Sequence, residues 1–294
     1  MSTNARIEVT FIGIGAIGLP MASQLHQAGY AVTGVDLFEP QRERAREIGL
    51  AAEEAPVSAA TADIVIVMVA TPAQLKAAVE GEQGVLSRMK DGASLIVMST
   101  VGPQAVQDLA PYTAEGRVSI LDVPVTGGVA RAKTGSLTLF ASGEAEVIEA
   151  NREVLSCMGA VRVVGENLGD GQSLKAVNQL LCSVHIVAAA EALAFAEQLG
   201  LDPAEVLPAV ESGAAGSWML SDRGPRMLEG LDAEVTSTIG IFVKDSSMVA
   251  DIAEEIGFDA PLVRAAQQRY LAAKELGLDR NDDSQVIQTY RKGE

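Results

Sequence analysis

The sequence contains very few cysteines and histidines. Among its 294 residues, the cysteines are Cys157 and Cys182 and the histidines are His26 and His185. These residues lack the spacing of zinc ligands, and two cysteines are too few for a disulfide framework. The sequence therefore predicts no metal centre and no structural disulfide. His185 lies in an apolar helical segment and is interpreted as a packed core histidine rather than a catalytic one.

Positive charge is also scarce. Lysine and arginine total 22 residues against 39 aspartates and glutamates, so the formal net charge is -17 at pH 7. A nucleic-acid partner is not expected, because phosphate binding needs a face on which Lys and Arg cluster. A small anion would have to be held locally, by backbone amides or a few cations. The acidic segment from Asp279 to Asp283 is interpreted as solvated loop charge.

Long apolar runs and export signals are missing as well. Apolar residues make up 48% of the sequence, but no unbroken run approaches the roughly 20 residues that a membrane-spanning helix needs. The opening MSTNARIEVTFIGIG lacks a basic region followed by a long apolar segment and a small-residue cleavage site. We therefore expect a cytoplasmic protein without a membrane partner.

Short apolar runs alternate with helix-like segments in the first half of the chain. The runs that predict strands are Ile7–Ile12, Tyr30–Val35, Ile64–Val69, Leu95–Met98 and Ser119–Val123. This alternation is typical of a doubly wound parallel sheet. Strand patterns stop after about Gly165. Helical patterns then cover Gly171–Leu199, Pro203–Ser212, Ile239–Ile256 and Pro261–Leu276.

The predicted fold class is α/β, in two domains. A doubly wound Rossmann domain over residues 1–167 precedes an all-α domain over residues 168–294, with a long interdomain helix. The second domain is predicted to serve substrate binding and dimerisation. The apolar and alanine face of the long helix exceeds what a small helical domain can cover, so a second subunit is expected on it. We expect a homodimer or a homotetramer.

A glycine-rich turn follows the first predicted strand and opens a helical pattern. Gly13, Gly15 and Gly18 suit a sharp turn, the close approach of a pyrophosphate and tight packing of helix on strand. This context predicts a dinucleotide site. The predicted cofactor-binding residues around the turn and after the third strand are Gly13, Ile14, Gly15, Ala16, Ile17, Gly18, Val69 and Ala70.

Asp36 ends the second predicted strand, 18 residues beyond Gly18. A carboxylate at this position accepts hydrogen bonds from the adenosine ribose and repels the additional phosphate of NADP. The predicted cofactor is therefore NAD, with Asp36 as a cofactor-binding residue. Arg42 and Arg44 could neutralise a phosphate, which keeps NADP as the alternative.

Two further motifs have the residue types of a reacting centre. The first, Asp122–Leu137, reads DVPVTGGVARAKTGSL, and the second, Gly171–Gln179, reads GQSLKAVNQ. The glycine pair after Thr126 leaves backbone amides unshielded beside a hydroxyl, which suits a carboxylate ligand. Lys175 and Asn178 are three residues apart and share one face of the predicted helix.

The order of these motifs resembles the β-hydroxyacid dehydrogenase family over almost the whole chain. The matching segments are Gly13–Met21, Ser99–Thr100, Asp122–Leu137, Gly171–Asn178 and Lys244–Asp245. The later segments that look closest to the L-threonate dehydrogenase branch are Ala214–Met219, Phe242–Asp245 and Asp282–Ser284. The resemblance implies a 6-phosphogluconate dehydrogenase-like C-terminal domain.

The resemblance also implies roles for individual residues. Lys175 corresponds to the catalytic lysine, and Asn178 helps to position the substrate. The residues implied in substrate binding are Thr126, Gly127, Gly128, Gln179 and Trp218, and those implied near the cofactor are Thr100 and Lys244. Thr126 replaces the family's usual serine and Gln179 its frequent second asparagine, so the substrate can differ from that of common members. For Trp218, core packing is an equal alternative.

These features predict NAD-dependent oxidation of the hydroxyl of a small hydroxy acid, with an L-threonate-like sugar acid favoured. Lys175 is the predicted general acid/base, since burial disfavours the charged form of an amine. A 3-hydroxyisobutyrate dehydrogenase and a tartronate semialdehyde reductase are the alternatives within this class. An imine reductase-like enzyme and a non-catalytic NAD-sensing protein are remoter, because neither needs Lys175 and Asn178 on one helical face.

Overall fold

A mixed β-sheet forms the centre of the first half of the chain. The structure is a computed structural model that describes residues 6–81, 83–114 and 116–291. Within these residues the sheet has nine strands: β1 Glu8–Ile12, β2 Ala31–Val35, β3 Ala51–Glu53, β4 Ile64–Val67, β5 Ser94–Val97, β6 Ser119–Asp122, β7 Val125–Thr126, β8 Leu137–Ser142 and β9 Gly159–Gly165. The helices with this sheet are α1 Gly18–Gln27, α2 Glu39–Glu47, α3 Pro72–Val79, α4 Pro103–Gln107, α5 Ala110–Ala114, α6 Gly128–Lys133, α7 Ala145–Ala150 and α8 Arg152–Ser156.

The strand order shows a doubly wound sheet. The strands lie in the order β3-β2-β1-β4-β5-β6, and every neighbouring pair in this run is parallel. The chain leaves β1 in one direction and returns to its other side at β4, which creates a topological switch point between these two strands. Beyond β6 the sheet becomes mixed, because β8 is antiparallel to β6 and β7 and parallel to β9. The predicted Rossmann fold is confirmed, and the antiparallel pairs are an addition to it.

Burial of β4 follows from helices on both faces of the sheet. All four residues of this strand are buried. Ile64 and Ile66 belong to a core cluster that includes Leu25 of α1, whereas Val65 and Val67 belong to a cluster that includes Leu75 of α3. Successive strand residues point to opposite faces, so a wholly apolar strand indicates two covered faces.

The second half of the chain is helical among its described residues. A long helix, α9 Asp170–Gln198, is followed by α10 Pro203–Glu211, α11 Trp218–Glu229, α12 Ile239–Glu255 and α13 Pro261–Glu275. A 3₁₀ segment, Asp283–Thr289, follows α13. The chain divides into two compact units between Lys175 and Ala176, within α9. The boundary predicted at 167 lies just before this helix.

Helix α9 is long and apolar enough to cross a membrane when only length and composition are considered, with a mean hydropathy of 1.6 in its most apolar window. The expectation that no unbroken apolar run approaches 20 residues still holds, because polar residues such as Ser183, His185 and Glu191 interrupt α9. Alanine-rich stretches raise the hydropathy, but their small side chains also favour close packing in a protein interior. Half of that window is buried, and Ile186, Ala190 and Leu193 belong to the core of the second unit. By its packing, α9 is a core helix.

The acidic segment near the C-terminus is another correction. Asp282 and Asp283 are 1% and 0% exposed, so they are not solvated loop charge. Asp282 accepts hydrogen bonds from the guanidinium of Arg226 at 3.1 Å and from the backbone amide of Thr236 at 2.9 Å. Asp283 is paired with Arg223. Both arginines lie on α11, a helix that the sequence pattern did not predict, so these partners could not be anticipated.

Candidate active site

The glycine-rich turn lies at the switch point, directly after β1. Gly13 has a φ of +89°, and a Cβ atom there would lie 2.4 Å from the carbonyl oxygen of Met68. A Cβ on Gly18 would lie 1.9 Å from the carbonyl oxygen of Gly13, whereas nothing lies within 4 Å of the Cβ position of Gly15. The outer two glycines are thus required for packing, and Gly15 faces open space. With α1 beginning at Gly18, these residues fit the pyrophosphate of a dinucleotide.

Asp36 follows β2 at the same edge of the sheet. One carboxylate oxygen accepts a hydrogen bond of 3.0 Å from the backbone amide of Phe38. A carboxylate has about four acceptor positions, so Asp36 retains capacity for ribose hydroxyls. The next two side chains, Leu37 and Phe38, are 76% and 70% exposed. Apolar side chains so exposed beside a nucleotide site are candidates to contact the adenine ring.

Arg42 is engaged by acidic neighbours. It is buried, and its guanidinium donates to a carboxylate oxygen of Glu39 at 2.8 Å and to the backbone carbonyl of Asp36 at 2.6 Å. It also lies 3.5 Å from the carboxylate of Glu54. Its positive charge is therefore compensated within the protein. Arg44 is exposed on the same helix, α2.

The segments after β4 and β5 are joined by a buried hydroxyl. The Oγ of Ser99 accepts a hydrogen bond of 2.8 Å from the backbone amide of Val69, and the Ser99 side chain is fully buried. This bond holds Val69 and Ala70 next to Thr100, all at the carboxyl edge of the parallel strands. Ser99 belongs to the motif noted in the sequence but was not predicted as a site residue.

The turn from Thr126 to Gly128 connects β7 to α6. Gly127 has a φ of +132° and Gly128 a φ of +69°, conformations that side-chain-bearing residues rarely adopt. A Cβ on Gly127 would lie 2.8 Å from the Arg131 side chain, whereas nothing lies within 4 Å of the Cβ position of Gly128. Gly128 is exposed, and Thr126 is half-buried beside it. This arrangement leaves room for a ligand at Gly128.

Lys175 lies on the second turn of α9 and is only 6% exposed. The first turn is anchored by Asp122, whose carboxylate accepts hydrogen bonds from the backbone amides of Gly169 and Gln172 at 3.1 and 2.9 Å. Burial raises the pKa of Asp122, while hydrogen bonds led by that of the Gln172 side chain oppose the rise. Asp122 is also the first residue of the motif that contains Thr126. The two motifs of the predicted reacting centre are thus in direct contact.

Asn178 and Gln179 belong to the second unit, where they join a polar chain with α12. The amide of Asn178 donates to the side-chain oxygen of Gln179 at 2.8 Å, and Gln179 donates to Asp245 at 2.5 Å. The Nζ of Lys244 lies 2.8 Å from the other carboxylate oxygen of Asp245. The sequence motif included Asp245, but its position between Gln179 and Lys244 depends on tertiary structure.

Trp218 is the first residue of α11, and its side chain is 49% exposed. The guanidinium carbon of Arg223 lies 5.9 Å from the centre of its ring, in a cation-π arrangement. Core packing is therefore not its main role. Its assignment to a substrate pocket stays a prediction.

Family models match both halves of the chain. One, described as the NAD binding domain of 6-phosphogluconate dehydrogenase, matches residues 8–168. The other, described as NAD-binding of NADP-dependent 3-hydroxyisobutyrate dehydrogenase, matches residues 169–290. The L-threonate dehydrogenase of Cupriavidus necator is 36% identical over 95% of this chain and 94% of its own length. The chain belongs to the β-hydroxyacid dehydrogenase family.

Solved structures agree with this membership. A 3-hydroxyisobutyrate dehydrogenase from Salmonella typhimurium has a TM-score of 0.89 and 32% identity, with 96% of this chain and 99% of that chain covered. An imine reductase from Pseudomonas sp. has a TM-score of 0.62 at 17% identity, over 98% and 100% of the two chains, and shares the fold alone. This member of the family is thus an oxidoreductase of hydroxy acids with a nicotinamide cofactor, as the sequence predicted.

Proposed function

We propose that the protein oxidises the hydroxyl of a small sugar acid like L-threonate, with NAD as cofactor and Lys175 as general acid/base. The observation that carries this proposal is the burial of Lys175 one helical turn beyond the segment anchored by Asp122. A buried amine loses its proton more readily than an exposed one. The relatives named L-threonate dehydrogenase, at 34 to 36% identity, support the substrate class.

Different residues act on the carboxylate and on the hydroxyl of the substrate. The amides of Gly127 and Gly128 and the hydroxyl of Thr126 bind the carboxylate, and Asn178 orients the substrate. The neutral amine of Lys175 takes the hydroxyl proton and becomes an ammonium ion, while the C–O bond becomes a carbonyl. When bound, NAD supplies the acceptor for the hydride that leaves the carbon. In the reverse direction the ammonium of Lys175 returns a proton to the oxygen.

The preference for NAD rests on Asp36 and Arg42. The cofactor is bound by the turn Gly13–Gly18, by Asp36 and by residues after the later strands. The Asp36 carboxylate has acceptor capacity for both ribose hydroxyls, and its charge repels a 2′-phosphate. Arg42, which could favour that phosphate, is compensated by Glu39 and the Asp36 carbonyl oxygen. Only the exposed Arg44 would then favour NADP on α2.

The protein is a homo-oligomer, dimer or tetramer, assembled through α9. Exposed apolar side chains lie along this helix at spacings of four and fourteen residues: Val177, Leu181 and Phe195 are 58%, 48% and 62% exposed. A stripe of this kind is a common site of subunit contact. Neither Cys157 nor Cys182 forms a disulfide, which suits a reducing cytoplasm.

The test is NAD reduction by the purified protein across a panel of C3 to C6 hydroxy acids, including aryl-substituted ones. We expect the highest kcat/KM with a four-carbon sugar acid, as the relatives named L-threonate dehydrogenase support. Highest efficiency with 3-hydroxyisobutyrate, or with tartronate semialdehyde in the reductive direction, would assign the alternative substrates. Reduction of a cyclic imine without turnover of any hydroxy acid would overturn the proposal.

A further inference from the structure

Gln172 joins three segments of the first unit through one side chain. Its Nε2 donates to the carbonyl oxygen of Ser99 at 2.9 Å and to the carboxylate of Asp122 at 2.8 Å. Its Oε1 accepts from the backbone amides of Val101 and Gly102 at 3.0 and 3.1 Å. Both amide hydrogens and the oxygen are therefore used, and the side chain is 1% exposed. The Gln172 amide thus connects α9 to the ends of β5 and β6.

Asp122 makes a second set of contacts with the start of the same helix. Its carboxylate accepts the backbone amides of Gly169 and Gln172 as well as the Gln172 side chain. A Cβ on Gly171 would lie 2.9 Å from this carboxylate and 2.6 Å from the carbonyl oxygen of Phe140. The start of α9 therefore approaches the sheet as closely as a glycine allows. A carboxylate at this end of a helix is also favoured by the helix dipole.

We propose that Gln172 and Asp122 are positioning residues, which set the register of Lys175 relative to the segment around Thr100. The inference rests on the proposed function, in which Lys175 exchanges the proton and Thr100 lies near the cofactor. Lys175 follows Gln172 by three residues and shares its side of α9. Thr100 lies between Ser99 and Val101, both of which bond to Gln172. A shift of either segment therefore changes the alignment of the reacting groups, to which rates are very sensitive.

A role limited to stability makes a different prediction. Loss of a buried hydrogen bond would then lower the melting temperature but leave kcat and KM of the folded enzyme unchanged. Asn151 provides a matched control, because its buried amide donates to the Oγ of Ser94 at 3.0 Å and to the carbonyl oxygen of Val147 at 2.9 Å. Ser94 begins β5, so this contact lies at the opposite end of the strand from Ser99. Asn151→Ala should reduce the melting temperature without an effect on kcat.

The first experiment compares Gln172→Met with the wild type and Asn151→Ala. For Gln172→Met we expect kcat to fall about 10- to 100-fold, with the KM of the hydroxy acid and the Kd of NADH, measured by its fluorescence, changed less than about threefold. The deuterium isotope effect on kcat should rise as hydride transfer becomes rate-limiting. Unchanged kcat and isotope effect in folded Gln172→Met would overturn the positioning role.

A second experiment covers the case in which Gln172→Met does not fold. It exchanges the donor and the acceptor of the hydrogen bond between Gln172 and Asp122. Gln172→Glu places a second carboxylate against Asp122, and we expect it to lower kcat. Combined with Asp122→Asn, it restores a donor opposite an acceptor at the Asp122 contact but still leaves the Ser99 carbonyl oxygen without a donor, so kcat should recover in part relative to Gln172→Glu alone, as positive coupling between neighbours predicts. Absence of recovery would count against the proposal.

Lys175→Ala in the same assay separates the two proposals. If Lys175→Ala loses turnover while Gln172→Met retains it, the positioning role is wrong and the proposed function stands. If Lys175→Ala retains near-normal turnover, both are wrong.

Discussion

Asp283 and Arg223 form a buried bidentate ion pair. The two carboxylate oxygens of Asp283 lie 2.8 and 2.9 Å from Nε and Nη2 of the guanidinium. Asp283 is 0% and Arg223 only 7% exposed. The pair connects the 3₁₀ segment after α13 to α11. Removal of one partner leaves an uncompensated charge in the interior, which costs far more than loss of a surface ion pair.

Arg223→Met is therefore expected to lower the free energy of unfolding by about 3 to 5 kcal/mol, measured by urea denaturation. Arg264→Met, at an exposed arginine on α13, should change it by less than about 0.5 kcal/mol. The further change Asp283→Leu in the Arg223→Met background should recover stability, because it removes the unpaired charge. A loss below about 1 kcal/mol in Arg223→Met would contradict this account.

The same carboxylate makes stability depend on pH. Burial raises the pKa of Asp283 to about 6, well above the usual range of an aspartate, against the attraction of Arg223. The folded state thus holds this proton more tightly than the unfolded state. The contribution of Asp283 to stability is largest below about pH 4 and is lost as the pH rises through about 6, with a slope of up to about 1.4 kcal/mol per pH unit. The difference between the unfolding free energies of the wild type and Asp283→Asn should therefore change between pH 4 and 7, with the wild type losing stability as the pH rises. Parallel curves for the two proteins would exclude this contribution of Asp283.

The sequence predicted those strands whose local pattern is strong. The five predicted runs correspond to β1, β2, β4, β5 and β6, which are short and apolar. It missed β3 and β7, which have three and two residues, and also the longer β8 and β9. The antiparallel pairing of β8 with β6 and β7 was also missed, because helix α6 separates the paired segments and a local strand pattern does not encode which strands pair.

For the candidate site too, local sequence patterns predicted some residues but not the contacts between distant segments. The glycine turn and Asp36 follow from local spacing, and Lys175 from a motif that resembles a family. The contacts of Gln172 with Val101 and Gly102 span 71 and 70 residues. No local period encodes such contacts, although a glutamine one helical turn before Lys175 is a signal that could have been noted. Asp245 is similar, since its partner Gln179 is 66 residues away.

Cofactor preference should depend on the charge of Asp36. Asp36→Asn keeps an acceptor for the Phe38 amide. It removes the negative charge that repels a 2′-phosphate, and it also removes a charged acceptor for the ribose hydroxyls. We expect the ratio of kcat/KM with NAD to that with NADP to fall about 10- to 100-fold. Glu43→Gln, which makes the same change in net charge at an exposed position of α2, should leave the ratio unchanged. A wild-type preference for NADP would refute the assignment.

Oligomerisation should depend on the exposed stripe of α9. Leu181→Glu places a charge within this stripe, and burial of an unpaired charge at an interface is unfavourable. We expect light scattering after size-exclusion chromatography to detect a dimer or tetramer for the wild type at micromolar concentration and a monomer for Leu181→Glu. Leu262→Glu, at a 67% exposed leucine of α13, is the matched control and should keep the wild-type state. A monomeric wild type would reject the assembly.

Lys175→Ala should reduce kcat about 100- to 10,000-fold, the usual loss when a general acid/base is removed. NADH binding, followed by fluorescence, should remain within about threefold, because the groups that bind the cofactor are unchanged. Added methylamine should restore part of the activity in a concentration-dependent manner, since a free amine can occupy the vacated volume and take the proton. Lys133→Ala, at an exposed lysine of α6, should behave like the wild type. Near-normal turnover in Lys175→Ala would leave the buried amine with a structural role only, because a general base cannot be removed from its site without loss of the step it serves.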